Sequence, residues 1–436
     1  MSEIRVRFAP SPTGKVHIGN IRAAIYNWLY ARHTGGKFLL RVEDTDLERS
    51  TPEAIQTLLD CMDWLGLDYD EPTFYQTKNI ARHLACVEKL LVDGRAYKME
   101  KTSRDGKTGE VVMFRMPKDG TLAFDDIVKG HMEKKAEDVP DFAIVRSDGS
   151  PIFHLANVVD DIDQRVTHVI RGDDHVENTF KHIELFKALG ATPPTYGHLS
   201  MIVNAQGKPY SKRDGAAFVG EFRENGYLPE ALFNYLLLLG WNPGDEREVL
   251  TRQEMIELFD IEKVHVTAAK FDIKKLQWMN GEYIRRAPRE QFRSELLARL
   301  GAAGLVPPPD FNLEMLIDQL QIRTKFWNDI PGNCAWFFTD DYPIDEKAVE
   351  KRLKKPGVKE LLLDLADRFA KLEPFTAAAG EEMVKGLSQG QGMGPWVHPI
   401  RVAVSGRMEG PGLFEMLELL GRDRTVARLT RAAAQL

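Results

Sequence analysis

Cysteine is scarce in this sequence. Cys61, Cys86 and Cys334 stand far apart, and no Cys-x-Cys or Cys-x-x-Cys pair occurs. Such spacing argues against a disulfide framework and against a thiolate zinc site, and it suits a reducing, cytoplasmic setting. Long apolar runs are also lacking: nothing approaches the roughly eighteen residues of a membrane-spanning helix, so no membrane partner is expected. The opening Met1-Ser2-Glu3-Ile4-Arg5 has no basic stretch followed by an apolar one, so no secretory leader is expected. Positive charge is short overall, with a formal net charge of −7. A polyanionic partner would therefore need local basic patches. Residues 265–300 carry eight Lys or Arg against four acids, and residues 347–359 carry six against one. Either patch reads equally well as a solvated helix face. No internal repeat or low-complexity tract is present.

A chain of 436 residues is too long for one core, so two to four domains are expected. Ile4, Val6 and Phe8 alternate with Arg5 and Arg7, which predicts a strand. Pro10-Ser11-Pro12-Thr13-Gly14 then forces a turn. From about Gly19 a helix is predicted, with Ile21, Ala24, Ile25, Trp28 and Leu29 on one face and Gly35-Gly36 at its end. Residues 38–42 read as a second, buried strand. Thr51-Pro52-Glu53 opens another helix, striped by Ile55, Leu58, Leu59, Met62 and Leu65 and capped by Gly66. Strand, helix, strand, helix begins a parallel α/β sheet, and ligands of such sheets sit beyond the carboxyl ends of the strands. The turn at Pro10–Gly14 and the run Glu43-Asp44-Thr45-Asp46 both fall at such ends. From about residue 94 to 140 the pattern changes to short strands, as in an insertion. Strand signals return at 153–159 and 166–171. Beyond Leu228 the chain reads as mostly helical, with Pro307-Pro308-Pro309 as a linker.

Three groups of residues carry chemistry. In the first, His17 and Gly19 stand at the mouth of a helix that follows a strand and a turn. Free N–H groups and the helix dipole attract phosphate there, Gly19 lets a nucleotide approach the backbone, and His17 can donate to a phosphate oxygen. A histidine in that position also serves as a plain helix cap. In the second, Gly207 and Gly215 bracket the basic loop Lys208-Pro209-Tyr210-Ser211-Lys212-Arg213-Asp214. Such a loop can close over a triphosphate, and it can equally be a surface turn. In the third, Arg7, Glu43 and Arg171 are charges at strand ends. Each alone would suit a structural ion pair. Together they suit a small zwitterion with an extra carboxylate, which an arginine can grip in a bidentate fork.

These pieces together resemble the class I aminoacyl-tRNA synthetases, in their bacterial-type glutamyl-tRNA synthetase (glutamate–tRNA ligase) branch. His17-Ile18-Gly19-Asn20 resembles the His-Ile-Gly-His signature, and Ser211-Lys212-Arg213 the Lys-Leu-Ser-Lys-Arg form of the second signature. Residues 7–14, Arg41-Val42-Glu43-Asp44-Thr45-Asp46 and His154-Leu155-Ala156-Asn157-Val158-Val159-Asp160-Asp161 identify the branch. Phe271-Asp272, Trp278-Met279-Asn280-Gly281, Phe338-Thr339-Asp340-Asp341-Tyr342-Pro343 and Pro411-Gly412-Leu413-Phe414-Glu415 carry the likeness through nearly the whole chain.

The resemblance implies an α/β fold: a Rossmann-type parallel-sheet catalytic domain in two halves, 1–85 and 150–207, with an inserted acceptor-binding subdomain at 86–149. A stem-contact domain at 208–300 and a helical anticodon-binding domain at 301–436 would follow. It implies ATP-dependent attachment of L-glutamate to tRNA(Glu) through a glutamyl-adenylate, with Mg2+ accompanying ATP, no zinc and no protein metal ligand, in a monomer. Glutamylation of tRNA(Gln), alone or besides tRNA(Glu), and an inactive tRNA-binding paralogue are the alternatives. Arg7, Ser11, Glu43, Phe153, Asn157 and Arg171 would hold glutamate. His17, Gly19, Asn20, Ser211, Lys212 and Arg213 would hold ATP, with His17 and Lys212 catalytic. Trp327, Trp336 and Trp396 are available to stack on bases. Three departures stand out. Pro209 occupies the place of the second signature's first lysine, with Lys208 before it. Phe153 stands where a tyrosine is expected. The insertion is shorter than usual by roughly 35 residues.

Overall fold

A computed structural model describes residues 3–12, 14–46, 50–102, 108–340, 342–389 and 392–436. Thr13 of the first turn and Asp341 of the motif at 338–343 lie outside the described residues. The chain forms two compact units, Met1–Met279 and Asn280–Leu436.

The first unit opens with β1 (Arg5–Phe8), α1 (Ile18–Thr34), β2 (Lys37–Val42), α2 (Pro52–Trp64), β3 (Phe74–Tyr75) and α3 (Ile80–Val92). Local chemistry sets these limits. The α1 helix ends at Gly35, whose φ of 66° takes the left-handed conformation that glycine adopts without cost. At the start of α2 the Thr51 side chain accepts from Ala54 N, and Pro52 fills the first turn, where no N–H is needed. β1, β2 and β3 form a parallel ladder in the order β1-β2-β3.

The chain then runs through β4 (Ala96–Thr102), β5 (Thr108–Phe114), β6 (Thr121–Asp126), β7 (Gly130–Lys135) and β8 (Phe142–Val145). It continues into α4 (Phe153–Asp163), β9 (His168–Gly172), α5 (Val176–Leu189) and β10 (Thr195–Leu199). β4, β5 and β8 make a small antiparallel sheet. β9 and β10 pair in parallel, and the β6–β7 hairpin adds to the β10 edge. The β1-β2-β3 and β9-β10 ladders abut where Thr167 N donates to Arg5 O at 2.9 Å and Arg5 N donates to Thr167 Oγ1 at 2.8 Å. From β1 the chain crosses by α1 to β2, and from β9 it crosses by α5 to β10. The order reverses between β1 and β9, and a doubly wound sheet opens its ligand crevice at that point.

The segment 94–149 is bound closely to this sheet. Val112, Phe114 and Ile144 share one core with Leu155 and Val158 of α4 and Phe186 of α5. Gly197 of β10 lets the β6–β7 hairpin approach: a Cβ there would lie 2.9 Å from Ile127 Cγ1.

One sequence expectation fails. Residues 153–159, which read as a strand, instead open α4. A short run rich in valine and leucine fits a buried helix as well as a strand. The helix is buried on several sides, so Asn157, Asp160 and Asp161 also lie inside. Their presence at helical spacing is what separates the two readings.

The second unit is helical, from Arg289–Ala302 through Arg422–Ala434. Its keystone is buried Arg428, which donates to the carbonyls of Val404 and Trp336 at 2.8 Å each and to Asp340 at 2.7 Å. Trp327 and Trp336 are buried among aromatic rings, whereas Trp396 is half-buried.

Candidate active site

The mouth of α1 is built by His17. Its backbone is extended, and its Nδ1 accepts the Gly19 N–H at 3.0 Å. A Cβ on Gly19 would lie 3.2 Å from that Nδ1, so glycine allows the ring to fold over the helix end. Ile18 N and Val219 N bond across to Ala217 O and Val16 O, which joins the mouth to the segment following the basic loop. Burial pulls the His17 pKa down, against a hydrogen bond with the Tyr210 backbone. A neutral ring that accepts at Nδ1 carries its proton on Nε2 and is a donor there.

Beyond the ends of β1 and β2 lies a buried ionic network. Asp161 accepts from Arg7 Nε at 3.1 Å and from Arg41 Nη1 at 2.6 Å. Glu43 Oε1 accepts from Asn157 Nδ2 at 2.8 Å and from Arg41 Nη2 at 3.3 Å. All five side chains are buried. Burial opposes ionisation of Asp161, but Arg41 and Arg7 outweigh it and hold the carboxyl below its ordinary value. Burial dominates at Glu43 and raises its pKa despite Arg41 and Asn157. Among the described residues, Asn157 Oδ1 has no partner, so one buried acceptor stands ready.

Arg171 is different. Only 8% of it is exposed, yet no carboxylate among the described residues lies within ion-pair distance. Its Nε donates to His198 Nε2 at 3.3 Å, and its Nη2 donates to Thr179 Oγ1 at 2.6 Å and His175 O at 3.3 Å. Nη1 has only a 3.5 Å approach to His182 Nδ1. A guanidinium has five N–H groups, so Nη1 is the end with donors to spare. The expected two-pronged grip therefore reduces to one nitrogen. Burial lowers the Arg171 pKa to about 10. A buried cation without an anion is costly, so an anionic ligand at this end would relieve that cost.

Phe153 lies among His154, His175 and His182, with ring centroids 5.5–5.7 Å away. Burial, then Lys181 and Arg171, lower the His154 pKa to about 4. Burial, followed by Arg171, also lowers His175 and takes His182 well below the ordinary 6.5. These neutral rings do not repel the guanidinium. Below about pH 6.5 the unfolded chain therefore binds protons that the folded chain does not, so stability falls as pH falls. We expect the thermal midpoint to drop between about pH 6.5 and 4, and His154→Phe to flatten part of that slope. Identical pH profiles for the two proteins in scanning calorimetry would refute the contribution of His154.

A cavity of about 800 Å3 joins these parts. Arg7, Ser11, Glu43, Phe153, Asn157 and Arg171 line it together with His17, Gly19 and Asn20. Ser211, Lys212 and Arg213 do not line it, although Pro209 and Tyr210 do. Their loop is clasped by Asp214, which accepts from Ser211 N at 2.9 Å, Ser211 Oγ at 3.0 Å and Asn204 Nδ2 at 2.8 Å. Lys212 and Arg213 point into solvent. Sequence reading assigned no role to Arg41, Asp161, His175, His182 or His198. Arg41 and Asp161 stand in two of the runs that carry the resemblance, but nothing in their spacing paired them.

Residues 3–108 and 98–278 match the model of the class I tRNA synthetase (E and Q) catalytic domain, and residues 273–433 match an anticodon-binding domain. The chain is 38% identical to glutamate–tRNA ligase 1 of Caldanaerobacter subterraneus subsp. tengcongensis, over 99% of this chain and 98% of that one. It is 39% identical to glutamate–tRNA ligase 2 of Koribacter versatilis, with the same coverage of 99% and 98%. Among solved structures, a glutamate tRNA ligase from Elizabethkingia meningosepticum, in complex with its amino acid, superposes with a TM-score of 0.87 at 29% identity over the full length of both chains. By sequence and by fold, the chain belongs to the class I tRNA synthetases of the glutamate and glutamine group.

Proposed function

We propose that the chain is a glutamate–tRNA ligase, which charges tRNA with glutamate at the expense of ATP. The observation that carries this reading is Arg171, a buried guanidinium with no carboxylate partner among the described residues, in the cavity that also holds the mouth of α1. Arg7 and Arg41 are paired with Asp161 and Glu43, whereas Arg171 has no carboxylate within ion-pair distance among the described residues. One carboxylate of glutamate would supply the anion that this guanidinium lacks.

In this reading Arg171 and Arg7 hold the side-chain carboxylate, with Phe153 as an apolar wall. Ser11, Glu43 and Asn157 hold the amino end, and the unpartnered Asn157 Oδ1 suits an ammonium donor. ATP lies across the α1 mouth, where His17 Nε2–H, the Gly19 backbone and Asn20 face its phosphates. Mg2+ bound with ATP would neutralise part of its charge. Among the described residues no group of three His, Cys, Asp or Glu stands together to hold the ion. No zinc is proposed, because the inserted segment has no cysteine.

The glutamate α-carboxylate attacks the α-phosphorus and expels pyrophosphate. A terminal ribose hydroxyl of tRNA then attacks the carbonyl of the adenylate and expels AMP. No protein nucleophile takes part, and catalysis is alignment plus charge stabilisation. The loop at 207–215 would swing Lys212, with Ser211 and Arg213, onto the phosphates. Gly207 and Gly215, at φ 75° and 143°, supply hinges at its ends. For the tRNA, the segment 86–149 would contact the acceptor end, 208–300 the stem and 301–436 the anticodon. Exposed Lys347, Lys351 and Lys355 give a basic surface in the last of these, and half-buried Trp396 is its stacking candidate. We expect a cytoplasmic monomer.

The test is aminoacylation of purified tRNA(Glu) and tRNA(Gln) side by side, which also reads the choice between them. Lys212→Ala should lose about 2–4 kcal/mol of transition-state stabilisation in kcat, with the glutamate KM nearly unchanged. Normal turnover in that variant would remove Lys212 from the chemistry. Failure to charge either tRNA with glutamate would overturn the function.

A further inference from the structure

The β6–β7 hairpin belongs to the inserted segment, yet one of its side chains reaches toward the cavity through two intermediaries. Asp126, the last residue of β6, is 4% exposed. Its Oδ1 accepts from Val128 N and Lys129 N at 2.9 Å each, and its Oδ2 lies 2.5 Å from His198 Nδ1. His198, on β10, is wholly buried. An ionised carboxylate can only accept, so the proton of this contact sits on His198 Nδ1. The other ring nitrogen, Nε2, is then a lone pair, and it faces Arg171 Nε at 3.3 Å and Thr179 Oγ1 at 3.0 Å. Arg171 Nε–H can only donate, so the relay is consistent from end to end. Burial keeps the His198 pKa low even though Asp126 opposes this, so the ring stays neutral beside the guanidinium.

We infer that Asp126 and His198 are positioning residues for the amino-acid site, acting as a carboxylate–imidazole relay that fixes the orientation of Arg171. The proton on Nδ1 makes Nε2 an acceptor, which ties down the Nε edge of Arg171 and leaves Nη1 for the ligand carboxylate. The opposite tautomer would point an N–H at Arg171 and turn the guanidinium away. The inserted segment thereby forms part of the glutamate site, and its β6–β7 hairpin cannot be trimmed without loss. This inference rests on the assignment of Arg171 to the substrate carboxylate.

Three variants of the full chain test it by aminoacylation, with glutamate and ATP varied separately. His198→Asn keeps a donor near the Nδ1 position for Asp126 but removes the acceptor for Arg171. Its glutamate KM should rise about tenfold or more, with the ATP KM within about twofold of the parent. His198→Gln places an amide oxygen near the Nε2 position, and its glutamate KM should stay within about threefold of the parent. Asp126→Asn, which allows the proton to move to Nε2, should raise the glutamate KM in the same direction as His198→Asn. In an Arg171→Ala background, His198→Asn should add less than about twofold, because both changes remove one interaction.

The relay is overturned if Arg171→Ala raises the glutamate KM while His198→Asn does not. It is equally overturned if the glutamate and ATP KM values rise together, if His198→Gln is as poor as His198→Asn, or if the effects multiply in the double variant. An unchanged Asp126→Asn removes Asp126 from the relay. If Arg171→Ala itself leaves the glutamate KM unchanged, the assignment of Arg171 fails and the relay fails with it. Should His198→Asn not fold, Asp126→Asn and His198→Gln still decide, since the first must raise the glutamate KM and the second must preserve it.

Discussion

Arg171→Ala should raise the KM for glutamate by about a hundredfold or more while leaving the KM for ATP within about twofold. The size follows from burial. A hydrogen bond to a charged group contributes about 1.5–3 kcal/mol, and in a dry site the abandoned carboxylate also loses its solvation without compensation. Together these reach about 3–4 kcal/mol, or two to three powers of ten. Lysine should not rescue the loss. The guanidinium uses Nε on His198 and Nη2 on Thr179 and the His175 carbonyl before any ligand arrives. An ammonium on a flexible stem cannot satisfy three fixed acceptors and still face the cavity. Steady-state aminoacylation by the alanine and lysine variants decides the matter. An unchanged glutamate KM in Arg171→Ala would sink the assignment.

Much of the first unit was legible because short-range rules agree there. The alternation of Ile4, Val6 and Phe8 gives β1, Gly35 ends α1, and Thr51-Pro52 starts α2. The charges at strand ends were legible for a topological reason: in a doubly wound sheet the carboxyl ends of parallel strands face one crevice, so Arg7, Glu43 and Arg171 converge. Tertiary partners were not legible. Arg41 lies two residues before Glu43 and reads as strand filler, yet it is fully buried and bonds both Glu43 and Asp161. Asp126 and His198 come from an inserted hairpin and a distant strand, and nothing in their spacing announces a pair. The strand expected at 153–159 failed because a short apolar run fits a buried helix as well as a strand, and only the polar residues at 157, 160 and 161 tell them apart. Lys212 shows the opposite limit. Its loop is plain in the sequence, but Asp214 holds the loop in a turn whose cations point away from the cavity.

Asp161→Ala should be the most destabilising single substitution in this network. One carboxylate is shared by Arg7 and Arg41, with side-chain exposures of 1% for Asp161, 4% for Arg7 and 0% for Arg41. Removing it leaves two guanidiniums close together with Glu43 as the only carboxylate of the network. Breaking one partner of a buried pair costs about 3–5 kcal/mol, and here two cations lose the same anion. The unit Met1–Met279 should therefore unfold at a midpoint lower by about 6–20 °C, read by calorimetry or by protection of its amides from exchange. Asp161→Asn should cost less, since the amide oxygen still accepts from one arginine. The decisive comparison is Asp161→Leu combined with Arg41→Met. If charge compensation outweighs packing, the double variant should recover part of the loss, because an apolar pair of similar volume avoids the desolvation of both ions. If packing around α4 matters more, the double variant should be worse than Asp161→Ala alone. Glutamate binding separates the same two effects on the functional side: with Asp161 gone, Arg7 loses its tether, so affinity should fall even at temperatures where the unit remains folded.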